Sequence, residues 1–193
     1  MRKLFIGLTL AGTALVAGVT LIGAGCVDVA ADSPHSPWLH SFIAWARDSA
    51  IARQTREISP PADLSDEARI KRGAGNYAAM CAGCHLVPGG PNSEIRQGLY
   101  PQPPNFTYAQ AQGNPALADA RRFWVIKHGI KASGMPAWGL GGMSDRDIWD
   151  LTVFLKVLPN LSATQYHQLV AASDGHVHEG MEHGHDHGEG HDH

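Results

Sequence analysis

The stretch Cys81-Ala82-Gly83-Cys84-His85 decides how the rest of this 193-residue chain is organised. It places two thiols three positions apart and an imidazole directly after the second thiol. The residues between the cysteines are small, so the backbone can approach a flat ligand closely at this point. The remaining cysteine, Cys26, lies in a distant apolar run, and this cysteine pattern is not that of a disulfide framework.

The geometry of this arrangement points to its ligand. On one turn at a helix end, Cys81 and Cys84 can reach the two vinyl groups along one edge of a porphyrin, while His85 projects over the ring. The C-x-x-C-H pattern is accordingly a signature of covalent haem attachment. A redox dithiol would not need the histidine, and a zinc site would need two further ligands that no second cysteine pair provides. We therefore expect one haem c, held by Cys81 and Cys84 with His85 as the proximal iron ligand.

A second iron ligand is expected downstream, in an irregular Gly/Pro segment. Met135 lies 50 residues after His85, between a glycine and a proline. Methionine usually fills gaps in a core, but a Gly/Pro loop offers it little to pack against, which favours a thioether delivered to the iron. Two alternatives stay open. Met143 is expected in the core, and His128 would give bis-histidine ligation but also suits a helix end.

The sequence pattern predicts an all-helical domain over residues 64–160. Ser65 is expected to cap a helix that runs to about Met80, and a Pro/Gly-rich loop follows the motif. A further helix is expected near Pro115–His128. Ser144, with an acidic residue three positions on, forms a capping box for the last helix, and Pro159 should end it. No strand alternation or internal repeat is apparent in the sequence.

With these elements the chain resembles the class I c-type cytochromes, which are small helical monohaem electron carriers. The resemblance rests on the C-x-x-C-H motif, on Met135-Pro136 and on helices at both ends of the domain. It implies an all-α, cytochrome c-like fold in which the first and last helices cross near the haem edge, with a glycine and an aromatic residue at the contact. The candidates for these positions are Gly73, Gly75, Tyr77, Trp149 and Phe154.

The resemblance also implies a function. It implies an electron carrier rather than an enzyme, with haem iron cycling between Fe2+ and Fe3+ under His/Met ligation, which raises the potential relative to bis-His ligation. Its partners would be redox proteins in or at the membrane. Two other functions stay open. One is a haem enzyme such as a peroxidase, which needs an open iron site that a bound Met135 would occupy. The other is a metal-binding or metal-delivery protein that acts through its histidine-rich tail. The net charge of −3 gives no basic field for nucleic acid.

The N-terminus predicts a signal anchor over residues 1–31. Basic residues at positions 2 and 3 precede 24 uncharged residues, 4–27, enough to cross a bilayer as a helix. The positive end would stay in the cytoplasm, placing the haem domain in the periplasm of a single-pass inner-membrane protein. The sequence resembles membrane-anchored bacterial cytochromes in this respect. Cleavage after Ala31 or lipidation of Cys26 are the alternatives.

Residues 32–63 join this segment to the haem domain. A helix is expected over residues 38–58, with aromatic residues in its first half and arginines in its second. Tryptophan and arginine near a span suit the membrane interface. Packing against the haem domain explains the same composition equally well, and both interpretations stay open. Pro60 and Pro61 then form a stiff, extended linker.

Residues 161–193 form a C-terminal extension that ends in a histidine-rich tail. Its last 18 residues carry seven histidines and five acids but no lysine or arginine. This composition cannot bury a core, so we expect the tail to be disordered. Paired histidines of the form His-x-His can bind Cu2+, Ni2+ or Zn2+. The candidate ligands are His183, His185, His187, His191 and His193.

Overall fold

The computed structural model describes residues 2–109 and 114–176. These residues form helices and no strand, which confirms the predicted all-helical class. The helices are α1 (Arg2–Gly23), α2 (Pro37–Gln54), α3 (Glu67–Met80), α4 (Ala82–His85), α5 (Glu94–Gln97), α6 (Pro115–His128), α7 (Asp145–Val157) and α8 (Ala163–Ala171), with a 3-10 turn at Leu158–Asn160.

The chain divides between His35 and Ser36 into two compact units. Helix α1 is the main element of the first unit, and its most apolar window has a mean hydropathy of 2.1. At about 1.5 Å per residue its 22 residues measure roughly 33 Å, close to the thickness of the hydrocarbon core of a bilayer. Its length and composition suit a membrane span, and they suit an N-terminal signal sequence equally well.

The second unit is organised around the crossing of α3 and α7. A Cβ atom added at Gly73 would lie 2.8 Å from the Cβ of Phe154 and closer still to the carbonyl oxygen of Asp150, so only glycine allows this approach. The Tyr77 ring lies 5.3 Å from that of Phe154 at the same contact. Gly73, Tyr77 and Phe154 therefore occupy the positions predicted for the glycine and the aromatic residues. Trp149 instead stacks on the ring of Phe123, 4.3 Å away, between α6 and α7.

Buried ion pairs hold these helices together. The carboxylate of Asp150 on α7 is fully buried and accepts hydrogen bonds from Arg69 at 2.7 Å and Arg72 at 2.6 Å, both on α3. The buried Asp119 of α6 accepts from Lys156 of α7 at 2.9 Å. Removing one partner of such a pair leaves an uncompensated buried charge. The two carboxylates therefore join α3 and α6 to α7.

Helix boundaries follow local capping chemistry with one correction. Ser144 caps α7 and forms the predicted capping box with Asp147. Helix α6 has the predicted bounds, with Asn114 as its N-cap. The prediction that Ser65 caps α3 is wrong, because the carboxylate of Asp66 accepts the N–H of Ala68 instead. Both residues are good caps, so local chemistry alone did not decide between these neighbours.

Two helices lie where none was predicted. The Pro/Gly-rich loop after the motif contains the short α5, and α8 follows the 3-10 turn Leu158–Asn160, which comes directly after α7 and contains Pro159. Ser162 and Gln165 form a capping box for α8, and this Ser-x-x-Gln spacing was a signal that could have predicted it. The buried ring of Tyr166 packs α8 against Tyr77 of α3.

Candidate haem-binding site

The residues predicted to attach the haem and to bind its iron lie on one helical turn, where α3 ends and α4 begins. Cys81 ends α3, and its carbonyl oxygen accepts the N–H groups of Cys84 at 3.1 Å and His85 at 2.8 Å. Both thiols are free. Cys81 is the N-cap of α4, and Cys84 and His85 lie within α4. The two thiols and the imidazole are therefore close together, as attachment to one edge of a porphyrin requires.

His85 is oriented by a carbonyl group far along the chain. Its Nδ1 lies 2.9 Å from the carbonyl oxygen of Pro104. Because a carbonyl can only accept, Nδ1 carries the proton and donates it, which leaves the lone pair of Nε2 for a metal. His85 as a whole is 8% exposed. The residues present thus fit a haem iron at Nε2 of His85.

The electrostatic surroundings of His85 favour its neutral form. Burial lowers its pKa below the usual value, and the charge of Arg96 lowers it further, while the hydrogen bond to Pro104 acts in the opposite direction. Only neutral imidazole binds metals. The site therefore presents its ligand in the competent form at neutral pH.

Phe106 completes the support of this imidazole. Its ring stacks on that of His85 with centroids 4.4 Å apart and an interplanar angle of 18°. Its backbone N–H also donates to the carbonyl oxygen of His85 at 3.2 Å. Pro104 and Phe106 therefore hold both the ring and the backbone of His85 from one loop. No sequence signal identifies Pro104 as the partner of His85, because every residue carries a carbonyl group.

The thiol of Cys81 is not that of a reactive redox dithiol. Burial, followed by the nearby Cys84, raises the pKa of Cys81 to about 12. Redox-active cysteines have lowered pKa values, since the thiolate is the nucleophile. This environment disfavours the alternative in which Cys81 and Cys84 exchange disulfides.

The loop that carries Met135 is fixed to the end of α6. The carbonyl oxygen of Met135 accepts the N–H of Ile130 at 3.1 Å, and Trp138 donates its backbone N–H to Ile126 at 3.1 Å. Gly129, with a φ of +66°, lies directly under this loop, where an added Cβ would be 2.7 Å from the carbonyl oxygen of Met135. Met135 itself is half-buried. Backbone hydrogen bonds and close packing against the end of α6 therefore fix the position of this irregular segment.

Met143 and His128, the two alternative iron ligands, lie in the places that a core methionine and a helix-end histidine usually occupy. Met143 is 4% exposed and belongs to the main hydrophobic cluster, which is the core position expected for it. His128 is exposed at the end of α6, and its ring lies 5.1 Å from that of Trp124. These surroundings are ordinary for a core methionine and a helix-end histidine. Met135 is also partly buried against this cluster, so packing does not separate the two methionines, and what distinguishes Met135 is its place between Gly134 and Pro136.

The candidate metal ligands of the tail, His183, His185, His187, His191 and His193, lie outside the described residues. Within residues 2–109 and 114–176 no group of three or more His, Cys, Asp or Glu residues could hold a metal ion.

Comparison with known proteins gives one family match. The family described as cytochrome c oxidase, cbb3-type, subunit III matches residues 68–155, less than half of the chain. The matched residues run from α3 to α7 and contain the C-x-x-C-H motif and Met135. No curated protein and no solved structure gives a significant match.

Proposed function

Because residues 68–155 form a c-type cytochrome domain, we propose that this protein is a membrane-tethered periplasmic electron-transfer cytochrome. One haem c would be bound through Cys81 and Cys84, with His85 as the proximal ligand. The observation that carries the proposal is the 2.9 Å contact between Nδ1 of His85 and the carbonyl oxygen of Pro104. That contact leaves Nε2 of a buried imidazole for iron, directly beside two free thiols.

When bound, haem iron supplies reversible one-electron chemistry between Fe2+ and Fe3+. The chain contributes attachment, orientation and exclusion of water. Cys81 and Cys84 hold the group, and Pro104 fixes the tautomer and plane of His85 through its carbonyl oxygen. The buried Leu86 and the stacked Phe106 keep water away from the proximal side. A dry, rigid site keeps rearrangement between the two oxidation states small.

We infer that Met135 is the sixth ligand. A thioether in that position would leave no open coordination site, which supports an electron carrier over a peroxidase. The test is carbon monoxide added to the reduced, detergent-purified full chain. The absorption spectrum should stay unchanged, because a bound methionine excludes the gas. Rapid carbon monoxide binding would instead support the haem enzyme.

We further propose that α1 stays attached as a single membrane anchor. The two basic residues at the start of α1 and the absence of charge in the rest of the helix support this orientation. The protein should remain in the membrane fraction after a carbonate wash, with Arg2 still present by mass spectrometry. A mature N-terminus at Asp32 would show cleavage after Ala31, and a lipid on Cys26 would show the lipoprotein alternative. Redox proteins in or at the same membrane would be its electron donor and acceptor.

Metal binding by the histidine-rich tail is a second candidate function. The observation that favours it is the sequence itself, with seven histidines among five acids in the last 18 residues. Neutral imidazoles supply ligands for Cu2+, Ni2+ or Zn2+, and the acids attract dications. This function would be accessory to electron transfer.

A further inference from the structure

The first half of α2 carries an exposed aromatic face. The side chains of Trp38, Phe42 and Trp45 are 70%, 56% and 65% exposed. Their spacing of four and three residues places them on one side of the helix. No Asp, Glu, Lys or Arg occurs between residues 37 and 46. Exposed apolar side chains clustered in this way mark an interaction surface.

The second half of the same helix is packed on the haem domain. Ile51 and Thr55 are 3% and 4% exposed, and α2 packs against α6. The carboxylate of Asp48 accepts from Arg121 of α6 at 2.7 Å. Packing against the haem domain therefore accounts for the second half of α2, whereas the aromatic first half is exposed. Because the second half is fixed to the haem domain, the aromatic face is held in a defined position on that domain.

The position of this face in the chain favours a lipid surface as its occupant. The apolar α1 ends at Gly23, and α2 begins at Pro37. The 13 residues between them can extend to at most about 45 Å, so α2 stays within reach of any membrane that α1 spans. Tryptophan is the side chain that the headgroup region prefers, with its apolar ring towards the acyl chains. The arginines Arg47 and Arg53 follow the aromatic stretch on the same helix, as in interfacial helices.

We propose that Trp38, Phe42 and Trp45 form a membrane-docking face, by which α2 lies in the headgroup region and holds the haem domain against the bilayer. This rests on the proposed anchoring by α1 but adds a second, separate contact with lipid. A tether alone would leave the domain free to rotate. Docking through α2 restricts the orientations that the domain presents to redox partners in the same membrane.

The experiment places the full-length holoprotein in nanodiscs of ordinary phosphatidylcholine and in matched nanodiscs with brominated acyl chains. Bromine quenches tryptophan only at close range, so the emission of Trp38 and Trp45 should fall in the brominated discs. The variant W38F/W45F should lose this lipid-dependent component, because it lacks both probes but keeps an aromatic face. The variant W124F, which changes a tryptophan on α6, should keep it.

Hydrogen exchange then tests docking without relying on tryptophan emission. Amides of residues 37–46 should exchange more slowly in phosphatidylcholine nanodiscs than in detergent, and the variant W38S/F42S/W45S should lose this protection. L140S changes a 93% exposed leucine elsewhere on the haem domain, so it should keep the protection. An unchanged haem spectrum in both variants shows that the domain has folded.

Equal emission in both lipids, with no protection of residues 37–46, would overturn the proposal and point to a protein partner for this face. Protection that depends on protein concentration and not on lipid would show that a second copy covers it, which also overturns the proposal. Loss of the protein from the membrane fraction during a carbonate wash would contradict anchoring by α1. That result is separate, because nanodisc quenching reports on α2 directly.

Discussion

The hydroxyl of Tyr77 donates a hydrogen bond to the carbonyl oxygen of Leu86 at 2.6 Å, joining the last turn of α3 to the residue that follows the haem-attachment motif. Leu86 has a φ of +68°, a conformation that a branched side chain rarely adopts. The buried phenol thus supports the backbone at a strained position where the chain leaves α4. Burial also raises the pKa of Tyr77, so the hydroxyl keeps its proton throughout the working pH range.

Replacing Tyr77 with phenylalanine should destabilise the domain by about 1–3 kcal/mol. The ring packing against Phe154 would stay, but the buried carbonyl of Leu86 would lose its partner. Urea denaturation of the holoprotein measures this difference. Y166F is the matched control, because its ring packs in the same cluster but the structure gives its hydroxyl no hydrogen bond within the described residues. Equal stability of Y77F and wild type would show that the bond does not support Leu86.

Replacing Gly73 with alanine should separate α3 from α7. A methyl group at this position meets the Asp150 backbone and the Cβ of Phe154, neither of which can move without shifting α7. Overpacking of this kind costs about 1–3 kcal/mol, which exceeds the ~0.5–1 kcal/mol that alanine gains over glycine in a helix. Thermal unfolding should therefore show a lower midpoint.

Gly98 offers the control for this substitution. An added Cβ there has its nearest neighbours 3.8 Å away, and the residue has a φ of −82° that alanine adopts easily. G98A should unfold close to the wild-type temperature. If G73A were as stable as G98A, the close approach of α3 and α7 at this point would not exist in the protein.

The haem should resist extraction. Thioether bonds to Cys81 and Cys84 survive acidic acetone, whereas a haem held only by His85 does not. The variant C81A/C84A should yield no coloured holoprotein, while C26A should retain a full complement of haem, because Cys26 is not part of the C-x-x-C-H motif and belongs to the unit that ends at His35. Haem that leaves the wild-type protein freely in acid acetone would contradict covalent attachment.

Much of this fold follows from signals that act within a few residues. Ser144 and Asp147 define the start of α7 because a capping box needs only those side chains and the adjacent backbone. The motif itself predicted the placement of both thiols and the imidazole because they share one helical turn. The same reasoning explains the one wrong cap, since Ser65 and Asp66 are adjacent and both able to accept a hydrogen bond.

Contacts between distant segments could not be predicted in this way. The carbonyl of Pro104 is 19 residues from His85, and no side chain identifies it as the partner of the imidazole. The division of α2 into a packed and an exposed half depends equally on the position of Arg121, which lies 73 residues from Asp48. Such pairings arise only when the helices pack, and the sequence pattern of either segment alone is compatible with several outcomes.

The histidine-rich tail should bind Cu2+ more tightly than Zn2+, in line with the Irving–Williams order. Only neutral imidazole coordinates, and the unperturbed pKa of histidine is about 6.5, so binding should weaken as the pH falls below about 6. Isothermal titration of the full chain at two pH values measures both effects. A chain that binds neither metal at neutral pH would contradict a metal-binding role.

Truncation after His176 separates the tail from the haem domain. This variant keeps Ser173 and Gly175, which lie against Gly75 of α3, and removes six of the seven tail histidines. It should lose metal binding while its haem spectrum and potential stay close to those of the full chain. A shifted potential or incomplete haem attachment would show that the tail and the haem domain act together.

The last prediction concerns Met135 and its competitors. Oxidised holoprotein should show the weak near-infrared charge-transfer band of sulfur ligation, and M135A should lose it. M143A should keep the band although it is less stable by about 2–5 kcal/mol, because it removes a side chain from the buried cluster. H128A should keep both the band and the stability, since His128 is exposed at a helix end. Absence of the band in wild type would indicate bis-histidine ligation, and its loss in M143A alone would assign the bond to Met143. Either result would overturn the assignment of Met135, and bis-histidine ligation would also imply a lower potential for the carrier.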